Sequence, residues 1–425
     1  MPDPAQSDAM SPPPTTSDSP SHTASAAQQA ESSTGTFVEV LWAFFRLGLT
    51  SFGGPVAHLG YFRSEFVQRR KWLDDASYSD LVALCQFLPG PASSQVGMAL
   101  GMGRCGWRGA LAAWLGFTLP SAVVLVLFAL GMAHWQGLLQ SGVVHGLKIV
   151  AVAVVAQALW GMARTLCPDR LRAGIALLAA LGVLAIPSAA GQIAVMVGGA
   201  LLGRYLIHVP PPPASVQRNY GVSPRTGMAV LVLLVVLLVM LPLAAAMTGV
   251  PVLKVVSDFF QAGALVFGGG HVVLPLLQAS VVPDGWLSNE AFLAGYGAAQ
   301  AVPGPLFTFA AYLGAAMSSP FGGWIGGLAL LVTLFVPALL LVVGVLPYWE
   351  ALRQRPYMQS TMAGVNAAVV GLLGAALYDP VWTSAIHSRT DLGIALAAWG
   401  LLVFARLSPV LVVLLAAVAG GLLAH

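Results

Sequence analysis

Apolar residues run in long blocks along most of this chain, and polar residues are confined to short gaps between them. Blocks such as 228–247 and 392–423 reach or exceed the roughly 20 residues that a helix needs to cross a bilayer, and they offer almost no polar face to water. Apolar residues make up 57% of the 425 and charged residues 8%, which excludes a large soluble helical protein. The pattern predicts an all-α polytopic membrane protein.

Two polar stretches interrupt this pattern. Residues 1–36 are a mixture of Ser, Thr, Pro and Ala without the basic and apolar regions of a signal peptide, and they are predicted to be a disordered tail. Residues 208–227 are rich in Pro and are predicted to be a linker. The net charge of +3 is too small to indicate a nucleic-acid partner. The three cysteines lack the spacing of a metal site.

The two ends of the apolar region repeat each other. Phe52-Gly53-Gly54 matches Phe267-Gly268-Gly269 at an offset of 215, and QFLPGP (86–91) matches QAVPGP (300–305) at 214. Further pairs keep offsets of 213 to 218, namely Leu100-Gly101 with Leu313-Gly314, Thr118 with Thr333, and Gly146 with Gly364. We therefore predict two homologous halves, 37–207 and 249–425.

Each half contains two interrupted segments followed by four apolar spans. The predicted spans are 107–134, 140–163, 171–187 and 189–206 in the first half, and 323–347, 359–378, 391–406 and 408–424 in the second. One additional transmembrane helix, 228–248, lies between the halves, and a single extra crossing inverts the second half relative to the first. The sequence therefore predicts an inverted repeat with broken helices.

The basic residues select between two topologies. If the interrupted segments are re-entrant, 15 of the 19 Lys and Arg residues face the cytoplasm and the chain crosses the membrane nine times. If the segments cross the membrane, the partition falls to 11 against 6 and the chain crosses thirteen times. The positive-inside rule favours the re-entrant alternative. Both alternatives place the N-terminus in the cytoplasm and the C-terminus outside.

The Gly and Pro interruptions predict a polar site inside the membrane. They free backbone N–H and C=O groups, which are tolerated in a membrane only against protein or a polar cavity. The termini of half-helices at mid-membrane attract anions. The competing explanation is that glycines allow close helix packing, which is expected for Gly97 with Gly101 and for Gly323 with Gly327.

Ionisable residues within the apolar segments indicate the sign of the substrate. The basic residues there are Arg46, His58, His145, Lys148 and His271, whereas the acids lie at segment ends. This distribution favours an anion, although Arg46 and Lys148 could instead extend their charges to the membrane interface. Residues 101–106 (GMGRCG) match the nucleotide-binding pattern GxGxxG, but they follow a membrane segment and not a strand, so they do not predict a nucleotide site. Walker A, His-x-x-x-His zinc and nucleophile-elbow motifs are missing, so neither an enzyme nor a metal or cofactor site is predicted, and a secondary carrier or a channel remains.

Three motifs carry a resemblance to a known family. FFRLGLTSFGGPVAHLGYF (44–62), the paired QFLPGP and QAVPGP, and FGGGHVVLPLL (267–277) resemble the chromate transporter family in its long two-domain form, over about residues 37–425. The resemblance implies a multi-pass carrier of the bacterial inner membrane that exports chromate, a dianion similar to sulfate, and so confers resistance. Membrane potential or a proton gradient would drive it. A carrier of sulfate or another oxyanion, or an anion channel, remains an alternative. The sequence does not decide whether the protein forms a homodimer.

The predicted substrate site is built from the four breaks and nearby polar residues. It comprises Arg46, Gly53, Gly54, Pro55, His58, Gln86, Pro89, Gly90, Pro91, Ser93, Ser94, Lys148, Gly268, Gly269, Gly270, His271, Gln300, Pro303, Gly304, Pro305 and Thr308. Backbone N–H groups and hydroxyls would bind the oxyanion, with Arg46 or Lys148 as the countercharge. If protons are coupled, His58 or His271 would carry them. The two Gly-Gly breaks are expected to meet near the middle of the membrane.

Overall fold

Helices account for the secondary structure of this chain in the computed structural model, which describes residues 35–52, 54–134, 142–186, 189–209, 220–266 and 270–423. Residues 1–34 of the predicted tail, residues 210–219 of the predicted linker, Gly53, Gly268 and Gly269 lie outside these residues. The helices of the first half and the helix that follows it are α1 (Phe37–Thr50), α2 (Gly54–Phe62), α3 (Asp75–Phe87), α4 (Ala92–His134), α5 (Gly142–Leu166), α6 (Arg170–Ala185), α7 (Ala189–Leu206) and α8 (Pro224–Thr248).

The helices of the second half follow a similar order. They are α9 (Pro251–Leu265), α10 (Val273–Val281), α11 (Asn289–Ala301), α12 (Phe309–Ala316), α13 (Gly323–Val345), α14 (Trp349–Arg353), α15 (Pro356–Ala376), α16 (Thr383–Ala385), α17 (Arg389–Val403) and α18 (Pro409–Leu423). Short π-helical segments at Arg63–Arg69 and Leu377–Trp382, and 3-10 turns at Gly270–Val272, Leu306–Thr308 and Leu346–Tyr348, extend or precede these helices.

Within the described residues, five helical segments are long and apolar enough to cross a membrane. They are Ala92–Met132, Gly142–Leu166, Pro224–Thr248, Gly323–Tyr348 and Tyr357–Ala385. Together with the absence of strands from the described residues, they confirm the predicted all-α polytopic membrane protein. The helix between the halves begins at Pro224, four residues earlier than predicted, because the Ser223 side chain caps it and proline suits the first turn.

Four of the nine predicted spans are shorter helices. The helices α6, α7, α17 and α18 contain 16, 18, 15 and 15 residues. At 1.5 Å per residue they are about 22 to 27 Å long, less than the roughly 30 Å of a hydrocarbon core. The number of crossings therefore stays a prediction.

The two halves exchange helix contacts. Helix α5 of the first half packs on α17 and α18 of the second, and α15 of the second half packs on α6 and α7 of the first. Glycines make both contacts close: Gly146 lies against the α18 backbone, and Gly364 lies against the α7 backbone at Gly203. Small residues allow such close approach of membrane helices.

In each half, a pair of facing glycines also lets two consecutive helical segments pack closely as an antiparallel hairpin. Helix α4 turns back at Cys105–Gly106, where Gly106 has φ +62°, so that Gly101 faces Gly109. In the second half Gly314 of α12 faces Gly326 of α13. The packing prediction was wrong for Gly323, because the position of its missing Cβ is open and its φ is +56°. Gly323 is instead required by the backbone turn.

Candidate functional site

Two backbone hydrogen bonds join the interrupted segments of the two halves. The Gly90 N–H donates to the Val266 carbonyl oxygen at 2.6 Å, and the Gly304 N–H donates to the Ser51 carbonyl oxygen at 2.8 Å. Val266 follows Ser51 by 215 residues and Gly304 follows Gly90 by 214, the same offsets as the repeated motifs. Each Pro-Gly-Pro break therefore pairs with the end of the broken helix of the other half. We call these four residues the central contact.

Both donor glycines have backbone conformations that other residues rarely adopt. Gly90 has φ +116° and Gly304 has φ +96°. A Cβ at Gly304 would overlap the Ser121 hydroxyl and lie 3.2 Å from the Phe117 carbonyl oxygen. Glycine is therefore needed at Gly304 for both its φ and the close approach of α4.

Side chains of α4 bind the backbone of both Pro-Gly-Pro breaks. The Gln95 Nε2 donates to the Pro89 carbonyl oxygen at 2.8 Å, and the Ser121 hydroxyl donates to the Pro303 carbonyl oxygen. These bonds satisfy carbonyl groups that the proline interruptions remove from helical pairing. Helix α4 thus supports the central contact on both sides.

His58 lies in the interior beside this contact. Its side chain is 1% exposed, its Nδ1 is 3.3 Å from the Ser93 hydroxyl oxygen, and its ring packs edge to face on Phe117 at 5.2 Å. The ring also lies beside the Ser51 backbone carbonyl. His58 therefore connects α2, both arms of α4 and the central contact.

Five buried polar atoms in this region have no hydrogen-bond partner among the described residues. They are Ser51 Oγ, His58 Nε2, Ser94 Oγ, Gln95 Oε1 and Thr118 Oγ1, which we call the polar cluster. Leaving such a group unpaired costs roughly 1 to 3 kcal/mol. Buried polar atoms are normally hydrogen-bonded, so five unpaired ones in one region indicate that a polar ligand binds there and supplies the missing partners.

The second half does not repeat the polar cluster. At the repeat offsets, Phe307 and Phe309 replace Ser93 and Gln95, and the buried Val273 replaces His58. Thr308 corresponds to Ser94, but its hydroxyl donates to the Pro305 carbonyl oxygen at 2.7 Å. The unpaired polar atoms near the breaks therefore come mainly from the first half.

The remaining predicted break residues have mixed environments. Gly54 and Pro55 are half-buried at the start of α2, Gln86 is exposed, and the half-buried Gln300 has an unpaired Nε2. Gly270 is buried, and a Cβ there would lie 3.0 Å from the Leu306 Cβ, so part of the second-half Gly-rich break meets the segment after Pro305. Gly53, Gly268, Gly269 and the His271 side chain lie outside what the structure describes.

The predicted countercharges gain no support from the structure. Arg46 is exposed on α1, as the interface alternative expects. Lys148 is half-buried on α5, with its charge close enough to affect Glu290 at the start of α11. Neither cation makes a hydrogen bond or ion pair with the central contact among the described residues, where hydroxyl, amide and imidazole groups predominate.

Sequence reasoning missed Ser51, Gln95, Thr118 and Ser121 as members of the site. Ser51 precedes a predicted break, and the other three are polar residues within a largely apolar helix, which was the available signal. Thr118 served only as a marker of the repeat. Among the described residues, no group of three or more His, Cys, Asp or Glu could hold a metal ion.

Long apolar helices, two sets of interrupted segments and buried polar groups where those segments meet are the features of a helical membrane transporter. The profile of the chromate transporter family matches residues 38–204 and again residues 253–421. The chain belongs to this family. The first matched region lies within residues 37–207 and the second within residues 249–425.

Relatives named as chromate transport proteins match most of the chain. It is 29% identical to the chromate transport protein of Pseudomonas aeruginosa, over 95% of this chain and 96% of the relative. It is 29% identical to the probable chromate transport protein of Synechococcus elongatus, over 89% and 93%. It is 27% identical to the chromate transport protein of Cupriavidus metallidurans, over 94% and 96%. No solved structure matches the chain significantly.

Proposed function

We propose that this protein is a secondary carrier that exports chromate across the bacterial inner membrane and thereby confers chromate resistance. Family membership and the three similar chromate transport proteins support the substrate. Export of a dianion from a negative-inside cell is favourable by roughly 4.6 kcal/mol at about 100 mV, so the membrane potential can drive it.

The oxyanion binds beside the central contact. The observation that carries this proposal is the polar cluster, because the hydroxyls of Ser51, Ser94 and Thr118 can each donate a hydrogen bond to a chromate oxygen. His58 adds a fourth donor in the tautomer with hydrogen on Nε2. The first turn of α4, which begins at Ala92, adds backbone N–H groups and the positive end of a helix dipole.

Transport proceeds by movement of one half against the other. The two halves form an inverted repeat, with the N-terminus in the cytoplasm and the C-terminus outside. The central contact contains two backbone hydrogen bonds between halves, each worth only about 0.5 to 1.5 kcal/mol net. Such a contact can break and re-form as access alternates between the two sides.

Flux of radiolabelled chromate into everted membrane vesicles tests the proposal. We expect saturable uptake that increases with an inside-positive potential. Competition by unlabelled sulfate measures selectivity among tetrahedral dianions. Unsaturable flux, equal in both directions, would indicate a channel. Sulfate uptake without chromate uptake would refute the substrate.

The matched variants are Ser94→Ala and Thr308→Val, which remove hydroxyls at corresponding positions of the two halves. Ser94→Ala should raise the KM for chromate, because it removes an unpaired donor. Thr308→Val should leave the KM unchanged and lower stability, because it removes a hydrogen bond to Pro305. Equal effects of the two variants on KM would contradict a site in the first half.

A further inference from the structure

A cavity of about 560 Å³ lies where α8 ends and α9 begins. Small residues of α8 form one wall, and Lys254, Ser257 and Asp258 of α9 form another. Asp284 and Trp286, from the turn before α11, complete the charged end. Under the predicted topology, this end of α9 faces the outside of the cell.

The cavity contains an ion pair and a separate carboxylate. The Lys254 Nζ pairs with the Asp284 carboxylate, which ties α9 to the turn before α11. Asp258 lies one turn after Lys254 and is half-buried, without a hydrogen bond or ion pair to any residue that the structure describes. With Asp258 ionised, these three side chains carry a net charge of −1.

Few other charges face Asp258. Helix α9 packs against α8, α10 and α13. Helices α10 and α13 contain no Asp, Glu, Lys, Arg or His, and α8 contains only Arg225, in its first turn at the opposite end. Lys254 and Asp284 are therefore the charged groups that set the electrostatic environment of Asp258.

Helix α9 connects this cavity to the central contact. It runs from Pro251 at the cavity to Leu265, and the next residue is Val266, whose carbonyl oxygen accepts the Gly90 hydrogen bond. Asp258 is eight residues before Val266, a helical rise of about 12 Å. A change in charge at Asp258 therefore acts on the helix that ends at the central contact.

We propose that Asp258 is a proton-binding site that controls the passage of the oxyanion at this end of the pathway. Proton binding changes the net charge of the three side chains from −1 to 0 and removes the repulsion of a dianion that leaves through the cavity. A proton from water binds the Asp258 carboxylate and later returns to water. The inference rests on the proposed anion transport.

The surroundings of Asp258 support proton binding. The carboxylate is half-buried and has no hydrogen bond or ion pair among the described residues, so its charge is poorly compensated. The Lys254 cation favours the ionised form of Asp258, and the Asp284 carboxylate favours the protonated form. The two neighbours also provide changes of opposite sign for a test.

Chromate flux in proteoliposomes, measured against the pH on the cavity side, tests this inference. Wild-type flux should rise as the pH falls through the range in which Asp258 binds a proton. Asp258→Asn should give the high flux at every pH. Asp284→Asn should shift the midpoint to lower pH, and Lys254→Gln should shift it to higher pH. Asp379→Asn, at an exposed carboxylate outside the cavity, is the matched control and should keep the wild-type profile.

Two outcomes would overturn the inference. One is a wild-type pH profile in Asp258→Asn, and the other is a shift of the same sign in Asp284→Asn and Lys254→Gln. Infrared difference spectra between about pH 5 and about pH 7 provide a measurement that is independent of transport. A carboxylic acid band present in the wild type should be absent from Asp258→Asn. If the band is present but no chromate flux is detected, the proposed function is refuted and the proton site is retained. If chromate flux is detected but the band is missing, the proton site is refuted and the proposed function is retained.

Discussion

Replacement of Gly304 by Ala tests the central contact most directly. An alanine at φ +96° costs roughly 1 to 2 kcal/mol in backbone conformation. Its Cβ would also overlap the Ser121 hydroxyl, which donates to the Pro303 carbonyl oxygen. Loss of that hydrogen bond adds about 0.5 to 1.5 kcal/mol. We therefore expect Gly304→Ala to destabilise the protein by roughly 1.5 to 3.5 kcal/mol.

Gly90→Ala is the matched comparison in the first half. Gly90 has φ +116°, but its Cβ would approach Gln95 Nε2 at 2.9 Å, at the end of a flexible side chain, and Ala338 Cβ at 3.4 Å. The backbone cost is similar and the steric cost smaller. Gly90→Ala should therefore destabilise the protein less than Gly304→Ala. Gly131→Ala, at a helical position with open space for a Cβ, should have little effect.

Thermal unfolding of purified protein measures these differences, and chromate flux per molecule in vesicles measures the effect on transport. The double variant Ser121→Ala, Gly304→Ala separates the steric cost from the backbone cost. If the overlap with the hydroxyl matters, Ser121→Ala should relieve part of the Gly304→Ala defect. Effects that add to within about 0.3 to 0.5 kcal/mol would refute the steric explanation.

Three further predictions concern the binding site, the predicted countercharge Arg46 and the topology. Ser94→Ala should leave the stability of the protein equal or higher and raise the KM for chromate by roughly 10- to 150-fold, which corresponds to the loss of one hydrogen bond to a charged group. Lower stability with an unchanged KM would contradict a binding role. Arg46→Gln should retain flux within about twofold, since this side chain is exposed, and loss of flux at normal abundance would restore it as a countercharge. Cysteines introduced at the exposed Ser64 and Pro283 should react with impermeant reagents from opposite sides, and reaction from one side would rule out the inverted arrangement.

The breaks could be located from sequence because glycine and proline act locally. The Pro-Gly-Pro motifs interrupt helices at Leu88–Pro91 and Val302–Pro305, as expected from the missing proline N–H groups. The constant offset paired each break with its counterpart. Most helix ends also lie within a few residues of the predicted span ends. The Ser223 cap starts α8 four residues earlier than predicted, because a cap side chain can begin a helix ahead of the apolar run.

The side of a helix that faces the site could not be located in this way. The buried residues of α1 include Val40, Ala43, Phe44 and Leu47, and Arg46 lies off this stripe. In a soluble helix an apolar stripe would mark the core, but lipid-facing residues are apolar too, so hydrophobicity does not separate the two faces. The sequence therefore suggested Arg46 as a countercharge, although its side chain is exposed.

By itself, the sequence determined the membrane class, the positions of the breaks and the family, because each depends on local composition or on short motifs along the chain. The two repeated halves stay a prediction from the spacing of those motifs. Only the tertiary structure decided that Gly90 pairs with Val266 and Gly304 with Ser51, and that the unpaired polar atoms gather mainly beside the first half's breaks. The two pairings join segments more than 170 residues apart, and the polar cluster brings together side chains from α2, both arms of α4 and the residue after α1; such contacts are set by how the helices pack together.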